Sequence, residues 1–211
     1  MNKPSTGDLG NLTELQSEAL KEILNMGAGR AAASLEALTG EYFTMLVPEV
    51  SIYSAEEFEE NSVYGQDNRS IMLHVGGDLN GFTSMVFSIE SAKRLLSNVL
   101  DEEPEEEDLD LLVESALMEL GNVVVGAIVG VFANALELNL EFSTPTLLEG
   151  SIGDLVSSGA IGKNPQIIVA KIKFIDSVGT TKGYFVTVFD LASMGVVIPS
   201  LDTFLKKQGL I

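Results

Sequence analysis

The stretch LMELGNVVVGAIVGVFANAL, residues 117–136, decides the fold and raises a question about function. Its uncharged part, residues 121–136, is shorter than the roughly 18 to 20 apolar residues that a helix needs to cross a bilayer. We therefore predict a helix buried in the core of a globular protein. Such a helix has no structural need for Glu119 and Asn122 near its start.

The composition fits a globular protein that avoids polyanions. The chain has 211 residues, of which 45% are hydrophobic, and this is ample for a packed core. Its 12 Lys and Arg face 31 Asp and Glu, which gives a net charge of −19. This charge repels nucleic-acid phosphates and anionic lipid headgroups. We therefore expect neither nucleic acid nor a membrane as a partner.

Missing and rare residue types exclude several kinds of active site. The chain has no cysteine and one histidine, which excludes disulfides, thiolate metal sites and cysteine nucleophiles. The first ten residues, MNKPSTGDLG, lack the apolar region of a signal peptide. Both observations lead us to expect a cytoplasmic protein.

The opening helix has a second copy earlier in the chain, at the constant offset that separates Glu22 from Glu119. At that offset SEALKEILNMGAGRAAASLEAL aligns with ESALMELGNVVVGAIVGVFANAL. The other matched pairs include Asn25 with Asn122, Gly29 with Gly126 and Pro48 with Pro145. The distance along the chain from the asparagine to the proline is therefore the same in both copies. An internal repeat is the simplest explanation.

Each copy has the same predicted order of elements. A long helix is followed by a short strand around the proline, two longer strands that meet at a turn, and a closing helix. The turns are expected at GGDLNG, residues 76–81, and at DSVGTTKG, residues 176–183. This order predicts an α+β fold with a pseudo-two-fold internal repeat. Two long helices pack with a shared, mostly antiparallel sheet, and two shorter helices close the copies.

We predict one domain over residues 1–211, built of two repeats at about 11–100 and 108–207. The segment between them, DEEPEEEDLD, residues 101–110, contains eight acidic residues and a proline. We interpret it as a solvated linker whose last carboxylates favour the positive end of the following helix. Docking of a basic partner is the alternative, and no feature of the sequence selects it.

Polar and small residues share one face of each long helix, given about 100° per residue. In the second helix this face consists of Ser115, Glu119, Asn122, Gly126 and Gly130. In the first it consists of Glu18, Glu22, Asn25, Gly29 and Ala33. The apolar residues opposite are expected in the core, namely Leu20, Ile23, Leu24, Ala31, Leu38, Val113, Leu117, Leu120, Val124, Ile128 and Val131. The polar faces are therefore predicted to be surfaces.

The glycines on these faces have two competing explanations. A glycine inside a helix costs about 0.5 to 1 kcal/mol relative to alanine, so Gly29 and Gly126 need a reason. Close packing of the two long helices is one, because Gly126 and Gly130 form a small-xxx-small pattern. The other is a bare patch that lets a partner approach the asparagine. Both copies keep Glu, Asn and Gly while their core residues differ, which favours the patch.

The spacing of these residues resembles the signature of the CheC family of chemotaxis phosphatases. In that signature an Asp or Ser precedes a spaced Glu and Asn, and a Pro follows at the distance seen here. The second copy matches throughout, as Ser115, Glu119, Asn122 and Pro145. The first copy matches as Glu22, Asn25 and Pro48, with Glu18 where the family has Asp or Ser.

Two features make the resemblance specific. Each proline alone is typical of an edge strand, but the constant distance from the asparagine links it to the motif. Single-site relatives of the CheX type keep one motif, whereas this chain has two.

The resemblance implies a phosphatase that hydrolyses the aspartyl phosphate of a CheY-like response regulator at two faces. The family roles carry over as follows: Asn25 and Asn122 orient the attacking water, and Glu22 and Glu119 anchor the partner. Partner binding is expected to involve Glu18, Gly29, Pro48, Ser115, Gly126 and Pro145. We expect no metal site or cofactor of the chain's own, because the response regulator brings Mg²⁺. A carboxamide suits this role, since it can donate to and accept from a water but is no general base.

Two other functions remain open at this stage. A related fold serves in flagellar switch proteins, where it docks phosphorylated CheY-like partners or switch subunits without catalysis. CheC-like proteins also bind a CheD-type deamidase, so the chain could be a scaffold as well as an enzyme. The Glu and Asn present in both copies favour catalysis, because docking alone has no need of a paired carboxamide.

Overall fold

The order of helices and strands follows the predicted repeat. In the computed structural model, which describes residues 12–40, 42–60, 68–88, 90–91, 109–148, 152–159, 164–175 and 180–211, twelve elements are defined. They are α1 (Glu14–Thr39), β1 (Thr44–Ser54), α2 (Ala55–Glu60), β2 (Asn68–Gly77), β3 (Gly81–Ser88), α3 (Leu109–Leu136), β4 (Leu140–Phe142), β5 (Thr146–Leu147), α4 (Ile152–Ser157), β6 (Gln166–Ile175), β7 (Thr180–Phe189) and α5 (Leu191–Lys207). The short helices α2 and α4 were not predicted.

The strands form one antiparallel sheet, as predicted. Their order is β1-β6-β7-β3-β2-β4, and β5 also pairs with β2. The first predicted turn joins β2 and β3, which end and begin at Gly77 and Gly81. The second turn falls on residues 176–179, outside the described residues, but Ile175 pairs with Thr180 on either side of it. The α+β class is therefore confirmed.

The strand order reads the same from both ends of the sheet when corresponding strands of the two copies are exchanged. Exchange of β1 with β4 and β5, of β2 with β6, and of β3 with β7 leaves the order unchanged. A pseudo-two-fold arrangement produces such an order. The linker is described only at its end, where α3 begins at Leu109, and of the first closing helix only residues 90–91 are described. The division into two repeats stays a prediction.

The sheet lies between two hydrophobic clusters. The larger one joins the sheet to the three long helices α1, α3 and α5. The smaller one joins its other side to α2 through Phe58 and to α4 through Ile152 and Val156. The two longest helices also touch directly, since a Cβ added at Gly27 would lie 2.9 Å from the Ile128 Cα. Both predicted faces of α1 and α3 are thereby fixed relative to the core.

Local interactions fix where α1 begins and ends. The helix starts with a capping box, in which Thr13 Oγ1 accepts from the Gln16 N–H and the Gln16 side chain accepts from the Thr13 N–H. Gln16 Nε2 also donates to Asp202 Oδ1 of α5 at 2.6 Å. The helix ends at Gly40, which adopts a left-handed conformation with φ of 75°. The first turn of α1 is therefore attached to α5.

Two of the expected core positions differ from the prediction. Leu38 is 50% exposed, whereas Leu35 is fully buried. Leu35 is the last α1 residue in the core cluster, so the final turn of the helix extends beyond its packed part. Val131 is half-buried, and the burial of Val113 lies outside the described residues.

One segment of α3, Ser115–Leu136, is long and apolar enough to cross a membrane by length and composition. Its apolar residues Leu117, Leu120 and Val124 are buried in the core cluster, and its opposite face is exposed. This is the pattern of a core helix in a globular protein.

Candidate functional site

The polar face of α1 is exposed, as predicted. Glu18, Glu22 and Gly29 are exposed, and Asn25 is half-buried. Residues three apart on a helix have Cβ atoms about 5 to 6 Å from each other, so Glu22 and Asn25 can reach the same partner group. We name Glu18, Glu22, Asn25 and Gly29 of α1 together with Pro48 the first face.

Asn25 is attached to strand β1 by one hydrogen bond. The backbone N–H of Val47 donates to Asn25 Oδ1 with an N–O distance of 2.9 Å. Because a backbone N–H can only donate, the carboxamide must turn its oxygen toward the strand. The Val47 side chain is 2% exposed, so the donor is held by the core. Within the described part of the chain, one lone pair of Oδ1 and both Nδ2 protons have no other hydrogen-bond partner.

A bulge in β1 places this donor. Pairing with β6 shifts by one residue between Leu46 and Glu49, so Val47 and Pro48 form the bulge. Pro48 is exposed and has no N–H to give to the ladder. Beyond the bulge, Lys171 Nζ donates to Glu49 Oε2 at 2.7 Å, and this hydrogen bond raises the pKa of Lys171. The salt bridge joins residues that are also register partners.

The corresponding residues of α3 form a second face. Ser115, Glu119, Asn122 and Gly126 are all exposed, and Pro145 is half-buried. Asn122 makes no hydrogen bond with any residue that the structure describes. Among the described residues, the carboxamide of the second face is therefore without a hydrogen-bond partner, whereas that of the first accepts from Val47.

The chain around Pro145 repeats the bulge of β1 in a shorter form. Phe142 pairs with Val75 and Thr146 with Met72, which is again a shift of one residue. Thr144 occupies the place of Val47, but within the described part of the chain its N–H has no hydrogen-bond partner.

The prediction of a short strand around each proline is confirmed in part for Pro48, which lies in a strand that is not short, and is wrong for Pro145. The strand that contains Pro48, β1, has 11 residues. Pro145 lies between β4 and β5 rather than within a strand. Pro48, which also has no N–H to donate to a ladder, lies in β1 at the bulge.

The glycines of both faces border open space. No atom lies within 4 Å of a Cβ added at Gly29, Gly126 or Gly130. The explanation by close helix packing is therefore wrong for these glycines, and the helices touch at Gly27 instead. Both faces have room beside the asparagine.

A groove of about 550 Å³ adjoins the first face. Its α1 side includes Glu18, Glu22 and Met26, and its other side is formed by the end of α5 with Phe204 and Leu210. Met26 is 51% exposed and Leu210 is 59% exposed. The carboxylates of the first face therefore stand beside apolar surface.

The chemistry available on both faces is that of a carboxylate and a carboxamide. A carboxylate can pair with a cationic side chain, and a carboxamide can orient a water. Among the residues that the structure describes, no group of three or more acidic or histidine side chains could hold a metal ion. Each face therefore offers one group that can pair with a cation and one that can hold a water.

The sequence prediction missed Val47 and Thr144. Their contribution comes from backbone N–H groups, which residue types do not reveal. The available signal was the spacing itself, because the distance from asparagine to proline is the same in both copies, and Val47 or Thr144 immediately precedes the proline.

Comparison with known proteins supports a relationship to chemotaxis phosphatases. The family model described as "Chemotaxis phosphatase CheX" matches residues 69–160, which include the whole second motif. The chain is also similar to a Bacillus subtilis (strain 168) protein named "CheY-P phosphatase CheC". The two are 28% identical over 154 residues, which cover 70% of this chain and 73% of that relative.

Solved structures show the same fold over most of the chain. Thermotoga maritima FliY is similar with a TM-score of 0.68 and 17% identity, over 93% of this chain and 98% of that one. The middle domain of FliM from H. pylori has a TM-score of 0.60 and 12% identity, over 90% and 99% of the two chains. Together the family-model match, the CheC relative and the shared fold support a place for the chain among CheC/CheX/FliY-type proteins.

Proposed function

We propose that the chain hydrolyses the aspartyl phosphate of a CheY-like response regulator in the cytoplasm. The observation that carries this proposal is the first face itself. There Asn25, held by the Val47 N–H, stands one turn from the exposed Glu22 and beside the open space at Gly29. The similarity to the Bacillus relative, which is named a CheY-P phosphatase, supports the same activity.

The reaction needs little chemistry from this chain. Water attacks the phosphorus, a bond forms between the water oxygen and phosphorus, and the bond to the aspartyl oxygen breaks. The aspartate leaves as a carboxylate, and the water proton passes to the phosphate. The regulator supplies Mg²⁺ and a lysine, so the missing element is a water held in line. Asn25 and Asn122 supply it by hydrogen bonding, without taking up a proton.

The glutamates and small residues hold the regulator in place. Glu22 and Glu119 pair with a cationic side chain of the partner, such as the lysine at its phosphate site, in a charge-assisted contact. Glu18 and Ser115 extend the contact by one turn, and the open glycines let the partner backbone come close. The prolines Pro48 and Pro145 mark the rim of each face.

The test is phosphate release from a phosphorylated CheY-like regulator. The Asn25→Ala, Asn122→Ala protein should lose about 10²-fold in rate, the cost of removing one preorganised hydrogen-bonding group. It should still bind a regulator that carries a stable phosphate analogue. Asn134→Ala is the control, since Asn134 is an exposed asparagine of α3 outside the face. Full activity of the double variant would exclude the mechanism.

Docking without catalysis, of the flagellar-switch or CheD-binding kind, is the second candidate. The observation that favours it is the free carboxamide of Asn122, which nothing in the described structure orients. In that case the wild-type protein would bind the phosphorylated regulator and leave its rate of phosphate loss unchanged. A pull-down with a CheD-type deamidase tests the scaffold role separately.

A further inference from the structure

We propose that the backbone N–H of the residue before each motif proline positions the asparagine of its face. Val47 does so for Asn25 in the structure as it stands, and Thr144 is the corresponding donor for Asn122. The catalytic consequence rests on the proposed function, whereas the hydrogen bond itself does not. Val47 is thus a positioning residue that acts through Asn25.

The bulge explains why the Val47 N–H is available. β1 is the end strand of the sheet, and in a regular strand its N–H groups alternate between the neighbouring strand and open solvent. The register shift between Leu46 and Glu49 removes Val47 and Pro48 from regular pairing. The Val47 side chain stays in the core, and its N–H turns to α1 and meets Asn25 Oδ1.

The hydrogen bond selects one orientation of the carboxamide. An unattached asparagine on an exposed helix face samples several side-chain rotamers. With Oδ1 held, the amide plane is fixed by the core of the protein rather than by the partner. Small displacements of a positioning group lower the reaction rate by large factors. Fixing the orientation of the carboxamide is therefore expected to raise the rate of hydrolysis.

The second copy has the same bulge beside its asparagine, but the hydrogen bond is not formed there. The one-residue register shift recurs between Phe142 and Thr146, at the corresponding place. Neither the Thr144 N–H nor the Asn122 carboxamide has a hydrogen-bond partner among the described residues. Both copies keep the bulge, the proline and the asparagine, so we assign the same pair of groups to both. The hydrogen bond between them is formed in the first face and is not formed in the second.

The first test reads the hydrogen bond without any activity. Amide hydrogen exchange measured by NMR should show a protected Val47 N–H in the wild-type protein. Asn25→Ala should speed its exchange at least about tenfold, whereas Asn25→Asp should keep it protected because a carboxylate still accepts. Asn122→Ala serves as the control and should leave Val47 unchanged. Equal exchange in wild type and Asn25→Ala would overturn the proposal.

The second test removes the N–H and keeps every side chain. Val47 is replaced by its α-hydroxy analogue, so that an ester replaces the amide, in the Asn122→Ala protein where only the first face acts. We expect kcat for phosphate release to fall about tenfold while KM stays the same, and the same ester at the exposed Tyr42 to have no effect. An unchanged kcat would overturn the positioning role. Failure of the proposed function is seen separately, as full activity of the Asn25→Ala, Asn122→Ala protein.

Discussion

The two faces share their residue types and differ in how the asparagine is held. In the first face, Asn25 is half-buried and accepts from Val47. In the second, Asn122 is exposed and has no partner among the described residues. The motif therefore sets which groups a face contains, but the strand beside it sets whether those groups are ordered.

The cause of the difference lies in the two edges of the sheet. β1 is 11 residues long and pairs with β6 on both sides of its bulge. β4 and β5 have only three and two residues, and Pro145 lies between them. A short, interrupted edge holds its backbone less firmly than a continuous strand. The asparagine of the first face is consequently preorganised, whereas no described residue holds that of the second.

The largest expected effect comes from removing each asparagine singly. Asn25→Ala should lower the rate of phosphate release about tenfold, because it removes the preorganised carboxamide. Asn122→Ala should lower it less than about twofold, since its carboxamide must first be ordered by the partner. Steady-state phosphate release from one phosphorylated regulator measures both. Equal losses in the two variants would show that the held carboxamide has no advantage.

Helical periodicity made much of this architecture predictable. The arcs of Glu22 with Asn25 and of Glu119 with Asn122 follow from about 100° per residue. Exposure is confirmed for all of them except Asn25, which is half-buried. The antiparallel sheet followed from consecutive strands and turn residues. These are local signals, and each is contained within one element or one hairpin.

The bulges and the Asn25 hydrogen bond could not be predicted in the same way. They depend on the register between β1 and β6, whose paired residues Glu49 and Lys171 are far apart in the chain. A shift of one residue in strand register cannot be read from the composition. A backbone donor such as the Val47 N–H is present in every residue type except proline, so the residue type does not reveal it. The exposure of Leu38 was equally unpredictable, because periodicity does not show where a helix extends beyond the core that it packs against.

Gly27 and Gly29 test how the helices and the faces use glycine differently. Gly27→Ala should reduce the free energy of unfolding by about 1 to 3 kcal/mol, because the new Cβ would meet the Ile128 backbone at 2.9 Å. Gly29→Ala should raise it by about 0.5 to 1 kcal/mol, the gain in helix propensity. Urea unfolding measures both changes. A loss of stability in Gly29→Ala would contradict the open patch.

Asp190, the N-cap of α5, and Ser88, the corresponding residue of the first copy, differ in their response to pH. Asp190 Oδ1 accepts from the Ser193 hydroxyl at 2.7 Å and from its backbone N–H at 2.8 Å. The hydroxyl hydrogen bond is the main reason why the pKa of Asp190 lies below its ordinary value of 3.8. In the first copy the corresponding residue is Ser88, whose hydroxyl accepts from the Ser91 N–H and does not titrate at these pH values.

Because its pKa is lowered in the folded protein, ionised Asp190 stabilises the fold at any pH above the ordinary pKa of the carboxyl group. That contribution is lost as the pH falls through the lowered pKa. Asp190→Ala should therefore cost about 1 kcal/mol at pH 7 and less in strong acid, whereas the cost of Ser88→Ala should be the same throughout. Urea unfolding at the two pH values compares them. If the loss of stability in Asp190→Ala did not change with pH, the lowered pKa of Asp190 would be contradicted.

The smallest expected effect concerns the salt bridge that flanks the first bulge. Lys171 and Glu49 have side chains that are 46% and 48% exposed, and such exposed pairs contribute only about 0.2 to 1 kcal/mol. The corresponding pair in the second copy, Met72 and Thr146, is uncharged. Lys171→Met therefore gives the first copy the residue of the second and should cost about 0.5 kcal/mol or less.

Salt and pH dependence show whether the loss of stability in Lys171→Met comes from the ion pair. The loss in Lys171→Met should disappear in 1 M NaCl, where the Debye length is about 3 Å, and Lys173→Met, an exposed lysine on the same strand, is the control. Because the pKa of Lys171 is raised from 10.5, the contribution of the pair is complete below that pH and is lost as the pH rises through the raised pKa.

Hydrogen exchange in the same variant returns to the difference between the two faces. The Val47 N–H should stay protected in Lys171→Met, since the bulge and Pro48 direct it to Asn25. Faster exchange at Val47 in this variant would instead make the salt bridge part of what holds the first face. The second face's lack of such a pair would then be one reason why no described residue holds Asn122.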